Sequence, residues 1–480
     1  MAINSLPFVL FFVTVFALYY LPFGQRTTVW QNIVLLLASY FFYGYADLKM
    51  LPLLIGVTTL FYFIGIGIEK YEDTKRADRR MLLGIFLGVG MLVYFKYTNF
   101  FIQSFGNLLN SIGLHTSLPS LKIIVPLGIS FFTFRLVSYV IEVHRGTMPA
   151  SRDFIVFAAY VAFFPCMLSG PIDRPNAFIP QLEKKRAFDY PAAVDGLRQI
   201  LWGLFKKMVV ADGLAQFVNL YLGTGRPVGT GSTTVIVALA YTFQIYADFS
   251  GYSDMAIGVG KLLNLKVAKN FNNPFFALDI ADFWRRWHIS LTTWVTDYVF
   301  TPLNFSFRKW RNWGMMVAII INFLIVGLWH GASWNYVIYG LYHGLLFVPL
   351  ILSGQMNAPH TIRTNRVGLP VMADLMRMLL TFALVVFGML IFRCGSVGQF
   401  VGELNTLRHG LFTLPDIGSA ANWLFVLVML SVEWCHRNRD HGLEISHISC
   451  KSIRWCVYLT LLLIIFLSGS ETTSFIYQVF

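Results

Sequence analysis

Apolar positions in this chain fall in long runs rather than in narrow stripes. Runs that read as membrane-spanning helices cover 6–23, 30–45, 50–68, 81–101, 122–141, 154–170, 198–221, 232–247, 313–330, 334–353, 371–393, 422–434 and 452–468. A helix needs about 20 residues to cross the hydrocarbon core of a bilayer. Several runs are shorter, so some are expected to be re-entrant or broken, with about ten to twelve true crossings. The predicted fold class is an all-α polytopic membrane protein. The first run, Leu6 to Phe23, has no basic residue before it, the first being Arg26, so it reads as a retained span rather than a leader. Internal repeats and low-complexity segments are not seen, and residues 1–480 are expected to form a single membrane domain.

Polar residues between the runs set the orientation. Lys70, Lys75, Arg76, Arg79 and Arg80 form a compact basic loop, which should be cytoplasmic. Three runs precede it, so the N-terminus should lie outside. Counting on places Arg145 and Arg152 inside, as expected, but Arg174, Lys184, Lys185 and Arg186 outside, against the rule. The conflict disappears if 154–170 enters and returns on the same side. Its ending, Phe164-Pro165-Cys166-Met167-Leu168-Ser169-Gly170-Pro171, carries the prolines and glycine that break a helix. Broken backbone at membrane depth survives only inside protein or beside a wet cavity, which points to an internal chamber.

Composition strengthens this reading. Apolar residues are 56% of the 480 and charged residues 13%, against about 25% charged in a soluble domain. With 45 Phe, 22 Tyr and 12 Trp, a soluble fold would expose large apolar patches. Lys and Arg number 37 against 24 acids, and the net charge of +13 suits cytoplasmic loops beside membrane spans rather than nucleic acid. Five cysteines without a CxxC give no disulfide framework. The group Cys435, His436, His441, His447, Cys450 and Cys456 lacks finger-like spacing and sits in an Arg-rich segment. It reads as a juxtamembrane loop, and no metal site is expected. Gly223 to Gly231 lacks the Lys-Ser/Thr ending of a phosphate loop. Neither GxSxG nor HExxH occurs, which argues against serine-hydrolase and zincin chemistry.

Three stretches place polar groups where apolar ones are expected. Asn270-Phe-Asn-Asn-Pro-Phe275 leads to Asp282-Phe-Trp284-Arg285-Arg286-Trp287-His288-Ile-Ser290-Leu-Thr-Thr-Trp294, suited to an amphipathic helix at the interface. It is either an aromatic belt with snorkelling arginines or a site whose Arg285 and Arg286 meet an anionic group such as a phosphate. The run Met315 to Gly331 carries Asn322, Gly327, Trp329 and His330 between apolar segments. An ionisable residue within the bilayer is a functional candidate by default, and histidine suits a general base near neutral pH. Its bland alternative is a neutral histidine bonded between helices. Tyr241 to Met255 holds Asp248 and Asp254, whose carboxylates need cationic partners; a structural polar network is the preferred reading there. His343 reads as a packing histidine.

These stretches together resemble the membrane-bound O-acyltransferase (MBOAT) family, and its bacterial branch that includes alginate O-acetyltransferase and the membrane component of peptidoglycan O-acetylation. The matching pieces are Pro126-Leu-Gly-Ile-Ser130-Phe-Phe-Thr-Phe134, Ser169-Gly-Pro171, Gln244 to Met255, Phe283-Trp-Arg-Arg-Trp-His288-Ile-Ser290, Gly327-Leu-Trp-His330-Gly331 and the aromatic ending Phe475 to Phe480. The resemblance implies a ring of spans with re-entrant and interfacial helices around a central funnel, with the catalytic region at about 241–345. It implies catalytic roles for His330 and His288. Trp284, Arg285, Arg286, Asn322 and Asp248 are the candidate substrate- or donor-binding residues. Val295-Thr296-Asp297 departs from the run the alginate enzymes carry after the tryptophan, so the polysaccharide is left open.

The function expected is transfer of an acyl group, foremost acetyl, from a cytoplasmic thioester toward hydroxyls of an exported bacterial polysaccharide. No bound cofactor is expected; acetyl-CoA is the expected donor. An extracytoplasmic acetyltransferase is the expected partner protein, membrane lipid the surroundings, and the bacterial inner membrane the location. Two alternatives stand: D-alanyl transfer to teichoic acid from a carrier protein, and a transporter with no covalent step, since transporters also use broken helices and midplane polar groups.

Overall fold

The computed structural model describes residues 1–21, 28–114, 118–223, 229–356, 358, 361–468 and 475. Arg26, most of the glycine-rich loop at 223–231 and the ending after Phe475 lie outside the described residues. The described residues form helices and connecting loops, with one isolated β-bridge, Thr364 to Pro370. Five helical stretches among them are long and apolar enough to cross a bilayer: Thr28–Lys70, Lys75–Ser111, Asn312–His330, Trp334–Leu352 and Met372–Arg393. Leu6–Tyr19 and Ala420–Cys435 are shorter apolar helices. The protein is an all-α polytopic membrane protein. The chain divides into two compact units, Met1–Leu197 with Ala256–Ala268, and Arg198–Met255 with Lys269–Phe480.

In the first unit the helix Ile129–His144 is the core element, buried from Ile129 through Val140 and flanked by Leu51–Lys70 and Lys75–Leu92. The latter turns Leu82, Leu83 and Phe86 outward, as a lipid-facing helix does. The predicted run at 122–141 is helical only from Ile129. Gly128 takes φ +68°, and a Cβ there would lie 2.5 Å from the Met167 carbonyl oxygen, so only glycine fits the turn into the helix.

The run at 154–170 does break. The helix Phe154–Ala162 ends after nine residues, about 14 Å of rise, too short to cross. The break frees two carbonyls for a definable reason. The Val161 oxygen would accept from residue 165, which is Pro165 and has no N–H. The Tyr160 oxygen would accept from Phe164, whose N–H instead donates to Ser39 Oγ at 3.2 Å. Arg135 supplies the missing donors. Its Nη1 lies 3.1 Å from both the Tyr160 and Val161 oxygens, and its Nη2 donates to Pro171 O at 3.4 Å. The guanidinium is buried and also pairs with Asp173 at 3.7 Å, which in turn accepts from the Ala268 N–H at 2.8 Å. One side chain thus holds the broken segment in place.

In the second unit Asn312–His330 and Trp334–Leu346 form a close antiparallel pair. Glycines allow it: a Cβ on Gly327 would lie 2.0 Å from the Tyr336 oxygen, and one on Gly340 2.3 Å from the Phe323 oxygen. The run predicted at 198–221 is helical throughout, but over Phe205–Ala211 it widens to a π-helix. Such turns are rare inside helices and recur at functional sites.

Arg135→Leu leaves Asp173 and three carbonyls buried without their cation, a loss of about 3–5 kcal/mol for a broken buried pair. The variant should melt well below wild type after solubilisation. Adding Asp173→Asn should restore only part of the difference, because the carbonyls remain. Equal melting of Arg135→Leu and wild type would show that another donor serves them.

Candidate active site

The segment 279–295 is not one amphipathic surface helix. It forms two short helices, Ile280–Arg286 and Ile289–Val295, with Phe283, Trp284, Trp287, Leu291 and Trp294 buried. Asp279 caps the first, accepting from Asp282 N at 2.8 Å. His288 sits at the break with φ 45° and ψ 51°, a left-handed backbone that histidine visits more readily than most residues but still at a cost. Backbone on both sides is tied to residues 270–272. The Ile289 N–H donates to Asn270 O at 2.8 Å, and Asn272 N–H to Arg286 O at 2.9 Å. Asn270 Oδ1 accepts from Ser290 Oγ at 2.6 Å, while its Nδ2 donates to Ser253 Oγ at 3.2 Å. Asn270 is therefore the brace that holds His288 in its unusual conformation. The sequence marks this polar stretch, but nothing in it singles out that residue.

His288 is fully buried, its ring 4.6 Å from Phe249 and 5.7 Å from Trp329. His330 ends its helix, 3% exposed, its ring 5.0 Å from Trp329, 5.0 Å from Phe392 and 6.2 Å from Tyr339. The two histidines therefore meet the same indole, though 42 residues separate them in sequence. Their walls are aromatic, so charge developing between them would be poorly screened.

The remaining candidates divide. Trp284 is buried, 4.9 Å from Phe323, with its indole N–H directed to His343 Nδ1 at 3.3 Å. Arg285 is exposed and donates to Met356 O at 3.2 Å. Arg286 is pinned to Asp282 at 2.9 Å, so the two adjacent arginines do not converge, and Arg285 is the more available to an anion. Asn322 is buried but lies eight residues before His330, about 12 Å along the axis and out of hydrogen-bond reach of it. Its Oδ1 has no hydrogen-bond partner among the described residues.

Asp248 finds its cation in Lys207, at 2.6 Å, which also pairs with Asp212 at 2.9 Å. Lys206 pairs with Asp254 at 2.6 Å and approaches Glu433 at 4.0 Å; Tyr246 donates to Glu433 at 2.7 Å. The cationic partners these carboxylates need are thus a pair of buried lysines on the π-helical turn. Two adjacent lysines inside the run at 198–221 were the signal available for them.

The geometry thus gathers two buried histidines against one indole in a helical membrane protein, with the Trp284-Arg285-Arg286-Trp287 segment just before His288. Residues 143–392 match the membrane-bound O-acyltransferase family, a span that holds every candidate site residue. The chain is 37% identical to a probable alginate O-acetylase of Pseudomonas aeruginosa, over 83% of this chain and 73% of that one. It is 29% identical to a peptidoglycan O-acetyltransferase of Helicobacter pylori over 98% and 97%, and 32% identical to a teichoic acid D-alanyltransferase of Bacillus subtilis over 57% and 70%. The chain belongs to the membrane-bound O-acyltransferase family and is an acyltransferase.

Lys207→Met strands Asp248 and Asp212 in the interior without their lysine and should cost about 3–5 kcal/mol. Asp248→Asn and Asp212→Asn in the same chain should recover most of the melting temperature. If the triple variant melts no higher than Lys207→Met, the lysine holds the fold through something other than charge.

Proposed function

We propose that the chain moves an acetyl group from acetyl-CoA on the cytoplasmic side toward hydroxyls of an exported cell-surface polysaccharide, in the bacterial inner membrane, with an extracytoplasmic acetyltransferase as partner. The observation that carries this reading is the meeting of His330 and His288 at Trp329 in a buried aromatic setting. The two O-acetyltransferase relatives, whose names specify alginate and peptidoglycan, support acetyl over other acyl groups.

The chemistry asks little of the protein beyond placement. A thioester is already activated. His330 takes the proton of the attacking hydroxyl as its oxygen bonds to the thioester carbonyl carbon. The tetrahedral oxyanion collapses, the carbon–sulfur bond breaks, and the thiolate recovers the proton from the imidazolium. His288 lies close enough to the same indole to orient the acceptor or donate to the oxyanion. Exposed Arg285 is placed to meet the phosphates of the donor.

Ester-linked acetate on purified surface polysaccharide tests the reading. Cells with His330→Ala at equal membrane abundance should lose it by about 10²-fold or more, the scale of a missing general base. Equal acetate in both would sink the proposal. Labelled D-alanine in the ester in place of acetate would move the chain to the teichoic acid reading, which the Bacillus subtilis relative favours.

A further inference from the structure

His343 lies outside every role given so far, yet its surroundings are specific. It is fully buried on Trp334–Leu346, and its ring stands at 88° to that of Trp284 with centroids 5.1 Å apart. The Trp284 indole N–H is only ever a donor, and it points at His343 Nδ1 from 3.3 Å. That nitrogen must therefore carry the lone pair. An imidazolium could not accept, and the other neutral tautomer would set N–H against N–H. The ring is neutral, with its proton on Nε2.

Nε2 points at the backbone of Met372–Arg393. A Cβ on Gly388 would come within 2.6 Å of it, and Nε2 has no hydrogen-bond partner among the described residues. A buried donor without an acceptor costs about 1–3 kcal/mol. Leucine or phenylalanine would fill the same space without that cost. Packing alone therefore does not account for a histidine here; the Nδ1 acceptor does. The ring also lies 4.6 Å from Tyr339, which is 6.2 Å from His330. Trp284 in turn leads in four residues to His288.

We propose that His343 is a positioning residue for acyl transfer: through Trp284 it fixes the short helix Ile280–Arg286 that leads to His288, and through Tyr339 it backs His330. This rests on the assignment of those two histidines to the reaction. Its substance is geometric. A neutral acceptor at Nδ1 is required, a proton donor or acceptor toward substrate is not, and the ring must keep its distance from Gly388.

Four single variants of the full chain test it, assayed in membranes with labelled acetyl-CoA and endogenous acceptor. His343→Asn keeps an acceptor oxygen near the Nδ1 position and should retain activity within about threefold. His343→Leu removes the acceptor and should lower kcat by about 10- to 100-fold, the scale of a modest misplacement, with KM for the donor and the melting temperature little changed. Trp284→Phe should match His343→Leu, and combining the two should cost no more than either alone. Gly388→Ala, which displaces the ring without altering its chemistry, should fall between. Nitrogen NMR of the histidine-labelled chain should show His343 with its proton on Nε2 across the neutral pH range, with Nδ1 shifting in Trp284→Phe.

Wild-type activity in His343→Leu overturns the proposal in favour of simple packing. Equal loss in His343→Asn and His343→Leu overturns it in favour of direct proton transfer at His343. A ring that titrates, or carries its proton on Nδ1, overturns it without reference to activity. Full activity in His330→Ala, by contrast, counts against the underlying site assignment and removes this proposal with it.

Discussion

No water stands ready inside a bilayer to satisfy a stray polar group, and three departures of this protein from plain apolar helix answer to that constraint. The broken segment at 154–170 exists because Arg135 replaces the backbone donors that Pro165 and the Phe164–Ser39 bond take away. The carboxylates of Asp248 and Asp254 exist there because two consecutive lysines reach them. The break at His288 exists because Asn270 ties down the residues beside it. In each case one polar side chain, distant in sequence, makes an irregular backbone or a buried charge tolerable.

The same constraint shapes the site. His330 lies at a helix end held by a glycine-lined hairpin, and His288 lies at a helix break held by asparagine. Neither is carried on a free loop. The surrounding phenylalanine, tyrosine and tryptophan rings leave few competing hydrogen-bonding groups. Acyl transfer needs a hydroxyl deprotonated and an oxyanion stabilised, and apolar walls strengthen the interaction of that charge with whatever donors face it.

Much of this was legible in the residues. The apolar runs and the clash between loop charge and span count were enough to expect an all-helical membrane protein with a broken segment near Pro165. A place between apolar segments marked His330 as a candidate, and the family resemblance added His288. What escaped the sequence was partnership. The lysine pair was visible only as two charges inside an apolar run, and Asp248 lies 41 residues beyond Lys207. Asn322 and His330 are both polar in one apolar helix, yet eight residues of helical rise keep them from meeting. Arg286 is spoken for by Asp282, an i,i+4 pairing that residue type alone does not choose over an external anion. Residue type reports what a side chain can do; only the packed chain decides which group it does it with.

The Arg135 anchor also bears on how the protein enters the membrane. The guanidinium precedes the carbonyls it serves by 25, 26 and 36 residues, so it is polymerised before them. A lone arginine at the centre of an inserting helix costs about 2.5–3.5 kcal/mol, and the nascent short helix after it cannot span by itself. Each segment is thus a poor candidate for lipid alone and an acceptable one once the other has been made. A chain that carries only one of the two leaves buried polar groups without partners.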